Sequence, residues 1–130
     1  MILLDTHVVV WLAGEPAQIS RNAHLAIEQA RASGAGLAIC GITLLELAMI
    51  ARRNKLRLVT GLESFLGDLE SRFQVLPITA KACARAAALP ALYPGDPADR
   101  IIGATAIVED LPLITADRAI RRSRAVRTIW

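Results

Sequence analysis

A chain of 130 residues suits a single domain spanning 1–130, large enough to bury a sizeable core without disulfides or metal staples. Hydrophobic residues reach 54% while aromatics supply only 4%, which predicts close packing of alanine-rich helices. A net charge of +3 is too mild to name an anionic partner, and the longest uncharged stretch, Gly34 to Leu45, is too short for a membrane span.

Ile2–Asp5 reads as a buried strand, followed by a short helix through Val8–Leu12 that Gly14-Glu15-Pro16 ends. Ser20 is a good N-cap for an amphipathic helix to about Ser33, with Ala23, Ile27 and Ala30 on one face. Leu37–Cys40 is a second strand, and a helix follows from about Ile42 to Asn54. That helix is apolar nearly all round, so it is expected to be buried. Thr60-Gly61-Leu62-Glu63 reads as a capping box for a helix to about Ser71. Phe73–Leu76 is a third strand, and Thr79 caps an alanine-rich helix to about Leu89. Asp96 is a natural N-cap with Pro97 at the first helical position of a helix to about Val108. Pro112–Thr115 and Val126–Trp130 complete five strands, with a helical turn or two over Asp117–Arg122 between them.

Alternation of strand and helix predicts an α/β fold, with a mostly parallel central sheet of about five strands and helices on both faces. In such sheets, sites form beyond the carboxyl ends of the strands, where Asp5 and Asp117 fall. Glu46 is expected near the first or second turn of the helix after strand two, and Asp99 in the first turn of its helix. All four acids sit in apolar settings, where an unpaired carboxylate is costly unless capped, paired or bound to a metal. Each also has a plainer reading. Asp5 and Asp117 could be helix caps, Glu46 a salt-bridge partner of an arginine, and Asp99 a charge favoured at a helix N-terminus. Gathered at one edge, they form a carboxylate-only site suited to a hard ion, Mg²⁺ or Mn²⁺, rather than zinc.

Other candidates are weaker. His7 and His24 lack metal-ligand spacing; His7 is expected to pack rather than to line the pocket rim, and Trp11, one turn on, reads as core. Cys40 and Cys83 read as buried reduced thiols, which fits a cytoplasmic location. Basic residues cluster at Arg52, Arg53, Lys55 and Arg57, and again at Arg118, Arg121, Arg122, Arg124 and Arg127. Either cluster could be a solvated face or a contact for phosphates or an acidic partner.

The segments Ile2-Leu3-Leu4-Asp5-Thr6-His7, Thr43-Leu44-Leu45-Glu46-Leu47-Ala48, Asp96-Pro97-Ala98-Asp99-Arg100-Ile101-Ile102-Gly103-Ala104-Thr105-Ala106 and Leu113-Ile114-Thr115-Ala116-Asp117 resemble the acidic motifs of PIN-domain ribonucleases, specifically VapC toxins of VapBC toxin–antitoxin pairs. The resemblance implies a PIN-like three-layer α/β/α fold and a Mg²⁺-dependent endoribonuclease that leaves 5′-phosphate and 3′-hydroxyl ends. It implies Asp5 and Asp99 as principal metal ligands, with Glu46 and Asp117 completing the shell. Thr6 and Thr115 would support the acids, and Arg100, Arg118, Arg121 and Arg122 would contact RNA or an antitoxin. A homodimer held by a VapB-type antitoxin is the expected assembly. Two alternatives stay open: a PIN nuclease outside a toxin–antitoxin pair, and a non-catalytic binding module. A phosphoacceptor receiver domain fits poorly, because Asp5 has no acidic neighbour and the late strand is followed by Asp117 rather than a lysine.

Overall fold

The computed structural model describes residues 1–54 and 58–130, so Lys55 and Arg57 of the first basic cluster lie outside the described residues. Five short strands, β1 (Ile2–Leu4), β2 (Leu37–Cys40), β3 (Gln74–Leu76), β4 (Leu113–Ile114) and β5 (Thr128–Ile129), form one sheet in the order β3-β2-β1-β4-β5. Every pairing is parallel. The mostly parallel sheet expected is therefore parallel throughout, because each pair of strands is joined by a helical crossover. The order reverses beside β1, which puts the topological switch point between β1 and β4.

Side chains alternate across the strands and divide the core in two. Leu4, Leu37, Ile39 and Ile114 face one layer together with Val8, Val9, Ile27 and Leu47. Leu3, Ala38, Cys40, Leu76 and Leu113 face the other, against Tyr93, Ile102, Ala106 and Ile120. The helices are α1 (Thr6–Gly14), α2 (Arg21–Ala32), α3 (Gly41–Arg53), α4 (Leu62–Arg72), α5 (Ala80–Ala87), α6 (Pro97–Val108) and α7 (Arg118–Ser123), with a 3-10 turn at Pro16–Gln18.

Five caps form as the sequence suggests, with Asp5, Ser20, Thr79, Asp96 and Asp117 each accepting from a backbone N–H in the first turn. The Asp5 cap draws α1 back to Thr6, ahead of the expected start at Val8. The capping box at Thr60 does not form. Gly61, with φ 82°, is the N-cap of α4 and makes no side-chain cap bond.

Three other expectations are corrected. Helix α3 is not enclosed: it buries only the stripe Thr43, Leu47, Ala51 and leaves Leu45 and Met49 55% and 45% exposed. Cys40 is buried, but Cys83 is exposed, because α5 buries the Ala82/Ala86 stripe beside it. Trp11 is only partly buried, packed on the first cluster, with its ring 5.8 Å from that of Trp130.

Candidate active site

Parallel strands deliver their carboxyl ends to one edge, and helices running back against them begin at that edge. Asp5 follows β1 and caps α1, and Thr115 and Asp117 follow β4. Glu46 lies in the second turn of α3 after β2, and Asp99 in the first turn of α6, which leads back into β4.

Asp5 is buried, 6% exposed, and both its oxygens are held. Thr6 N–H donates to Oδ1 at 2.8 Å and the Thr115 hydroxyl donates to Oδ2 at 2.6 Å. Thr115 Oγ1 also accepts from Asp117 N–H at 3.1 Å, so one buried hydroxyl ties the first acid to the last. Burial pushes the Asp5 carboxyl above its ordinary range and the Asp117 charge adds to this, while the Thr115 and Thr6 bonds and the His7 charge oppose it.

Asp99 is half-buried and its pKa is pushed up to about 7. Desolvation is the main cause, followed by the charges of Asp5, Asp96, Glu46 and Asp117. All four expected acids therefore converge electrostatically, from four separate parts of the sequence. Among the described residues, the ion pairs are Arg31–Glu28 and Arg127–Asp110, so arginine pairing explains none of the four.

Glu46 is oriented instead by Thr6, whose Oγ1 lies 2.6 Å from Oε1. Thr6 has one hydroxyl hydrogen, which this short contact takes. Thr43 Oγ1, at 3.2 Å, then donates into the Thr6 oxygen. Thr43 was not among the expected site residues, although it stands three positions before Glu46, one helical turn away on the same face. Asp117 accepts from Ile120 N–H at 2.9 Å and caps α7, so its cap reading and its place beside the other acids hold together. Asp96 accepts from Asp99 N–H at 3.1 Å, as a cap should.

Tyr93, the chain's one tyrosine, is a second residue that the sequence did not single out. Its hydroxyl donates to the Asp99 carbonyl at 2.9 Å, and its ring crosses α6 at Gly103. A Cβ at Gly103 would lie 2.1 Å from that hydroxyl, so the glycine is what lets the ring brace the helix. Burial and the charges of Asp99, Asp5 and Asp117 all raise the Tyr93 pKa, which keeps the phenol a donor.

Two expectations are redirected. Arg100 is turned inward: its guanidinium donates to the carbonyls of Ala86, Leu89 and Pro94 at 3.0, 2.9 and 3.3 Å. It clamps the loop between α5 and α6, which leaves little of the guanidinium to meet RNA or an antitoxin. His7 does not pack inward; it is exposed on the first turn of α1, 6.2 Å from the Trp11 ring.

Among the described residues, no three Asp, Glu, His or Cys side chains stand in a ready-made metal-holding group. This still fits Mg²⁺, which keeps several waters and is bound through one or two carboxylates rather than a closed protein cage. The donor set is all oxygen, and burial reinforced by mutual repulsion raises Asp99, a pattern that a hard cation relieves.

The PIN domain family matches residues 2–125. The chain is 40% identical to Ribonuclease VapC22 of Mycobacterium tuberculosis over 99% of its own length and 98% of that protein's. It also resembles a chain of a toxin–antitoxin complex from Klebsiella pneumoniae, at 28% identity and a TM-score of 0.61, covering 90% of this chain and 87% of that one. A chain of VapBC2 from Rickettsia felis, bound to a promoter DNA fragment, shares the fold at 23% identity and a TM-score of 0.74, over 98% of this chain and 97% of that one. With the match running through all four acidic segments, the chain belongs to the PIN domain family and, within it, to the VapC ribonucleases.

Proposed function

We propose that residues 1–130 form one PIN domain acting as a Mg²⁺-dependent endoribonuclease toxin, neutralised by a VapB-type antitoxin, with Mn²⁺ as a workable substitute. The observation that carries this reading is the convergence of Asp5, Glu46, Asp99 and Asp117 at the switch-point edge, with Asp5 fixed through Thr115 and Glu46 through Thr6. Asp5 and Asp99 would hold the ion, directly or through water, and Glu46 and Asp117 would complete the shell or orient the attacking water. When bound, the ion supplies acidified water and charge neutralisation at the scissile phosphate. Thr115 keeps Asp5 in one rotamer, and Tyr93 holds the turn that carries Asp99.

RNA as substrate follows from the VapC membership, and a VapB-type partner from the toxin–antitoxin relatives. The exposed apolar pair Leu45 and Met49 on α3 supports a homodimer. Among the described residues no helix is long and apolar enough to cross a membrane. Action on RNA places the proposed activity in the cytoplasm.

The test is cleavage of a panel of structured and single-stranded RNAs, with and without Mg²⁺. Asp5→Asn and Asp99→Asn are expected to abolish cleavage, as is excess chelator. Full cleavage under either condition would refute the assignment. Mg²⁺ binding without cleavage of any RNA would favour the non-catalytic module.

A further inference from the structure

Arg118, Arg121 and Arg122 stand at i, i+3 and i+4 on α7, so they share one face of the helix. Arg124 follows in a left-handed conformation, φ 53° and ψ 14°, at a position where glycine is the usual residue. Together the four line a cavity of about 400 Å³. Neither of the two ion pairs among the described residues involves them. Like charges at these spacings repel, and a left-handed arginine adds backbone strain, so the arrangement works against stability. A solvated face would need neither convergence nor strain. Convergent guanidinium forks match the oxygens of a phosphate.

We propose that this cavity is a phosphate-binding site that takes backbone phosphates of an RNA adjacent to the scissile one. Its position supports this. Asp117, the last of the four acids, caps α7 by accepting from Ile120 N–H, so the helix that carries Arg118, Arg121 and Arg122 starts at that acid. Four carboxylates repel an approaching phosphodiester, and guanidiniums on the helix that starts at one of them supply an offsetting attraction. An acidic peptide fits less well. The lining consists of arginines, with no apolar side chain to anchor a peptide, whereas interfaces with proteins draw their affinity from such anchors. The phosphate chemistry stands on the cavity alone, while RNA as its source rests on the nuclease reading.

The test measures binding in chelator, where no cleavage intervenes. A short single-stranded RNA is titrated into the wild-type chain and into the Arg121→Gln/Arg122→Gln double variant at several salt concentrations. Both side chains are exposed, so the variant is expected to keep its circular dichroism spectrum. Its affinity should fall about tenfold or more. The slope of log K against log salt should become shallower by about 1.4, roughly 0.7 for each lost single-strand phosphate contact. Tripolyphosphate alone should perturb the arginine side-chain resonances of the wild type to saturation and compete with the RNA. Unchanged affinity and slope in the double variant would overturn the proposal. Saturation by tripolyphosphate with no change in the RNA slope would reassign the cavity to free oligophosphates. Competition by polyglutamate equal to that by tripolyphosphate would overturn the preference for phosphate. If the wild type binds no RNA at all yet tripolyphosphate saturates the arginines, the nuclease reading fails while the phosphate site stands.

Discussion

Asp99 carries the largest electrostatic penalty among the four acids that is legible as a pH effect. An aspartate titrates near 4 in an unfolded chain, whereas Asp99 titrates near 7 when folded. Between these values the folded chain keeps a proton that the unfolded chain has released, so stability must fall as pH rises from about 4 to about 7. Asp5 is shifted the same way and adds to the slope. In chelated samples the melting temperature should therefore drop across this window. Asp99→Asn should flatten the drop and raise the melting temperature at pH 8, by roughly 3–5 °C for each kcal/mol of repulsion removed. A melting temperature that climbs with pH over this range would contradict the clustering of the acids. Thr115 makes the complementary case. Thr115→Val deletes the bond to Asp5 Oδ2 and leaves a buried carboxylate oxygen without its partner, at a cost of about 1–3 kcal/mol. Because Asp5 would then be free to turn, RNA cleavage should fall by about 10–100-fold, and Thr115→Ser should restore it. Loss of stability with full activity would make Thr115 structural only.

At the scale of elements, the βα alternation was legible because short apolar strands and capped helices are local signals, and Asp96-Pro97 and Thr79 announced their helices correctly. The acids were legible for the same reason: each is a charge in an apolar segment, and the strand-end rule sends them to one edge. What stayed hidden depends on contacts far apart in sequence or on the direction of a long side chain. Nothing local says that Arg100 turns inward, that Gly103 makes room for Tyr93, or that the nearly all-apolar α3 leaves Leu45 and Met49 in solvent. Thr43 was missed because its hydroxyl matters only through Thr6, which lies 37 positions away. Arg100 tests the inward reading. Arg100→Lys cannot reach three carbonyls with one ammonium, so it should destabilise the chain by about 2–3 kcal/mol, read as a lower denaturant midpoint. RNA affinity below the transition should be unchanged. A drop in affinity with normal stability would return Arg100 to the binding surface.

Over the whole molecule, a net charge of +3 conceals local clusters of opposite sign: four acids gather at the switch-point edge, and arginines gather on α7, the helix that one of those acids caps. Folding has to hold the carboxylates together against their repulsion, and that links metal binding to global stability. A ligand that binds only the folded state stabilises it by RT ln(1 + [L]/Kd), about 2.7 kcal/mol when the ligand is at a hundred times Kd. For a chain of this size that corresponds to a rise in melting temperature of about 10 °C. Mg²⁺ should therefore raise the melting temperature of the wild type at pH 8 in a saturable way, and chelator should reverse the rise. At pH 5 the rise should shrink, because Asp99, titrating near 7, holds a proton that the ion must displace. Asp99→Asn should respond weakly at both pH values, while Arg121→Gln/Arg122→Gln should respond like the wild type, since α7 supplies no ligand to the ion. A wild-type melting temperature indifferent to Mg²⁺ at pH 8, together with cleavage that persists in chelator, would remove the ion from the reaction and leave the acids to act as a general acid–base set.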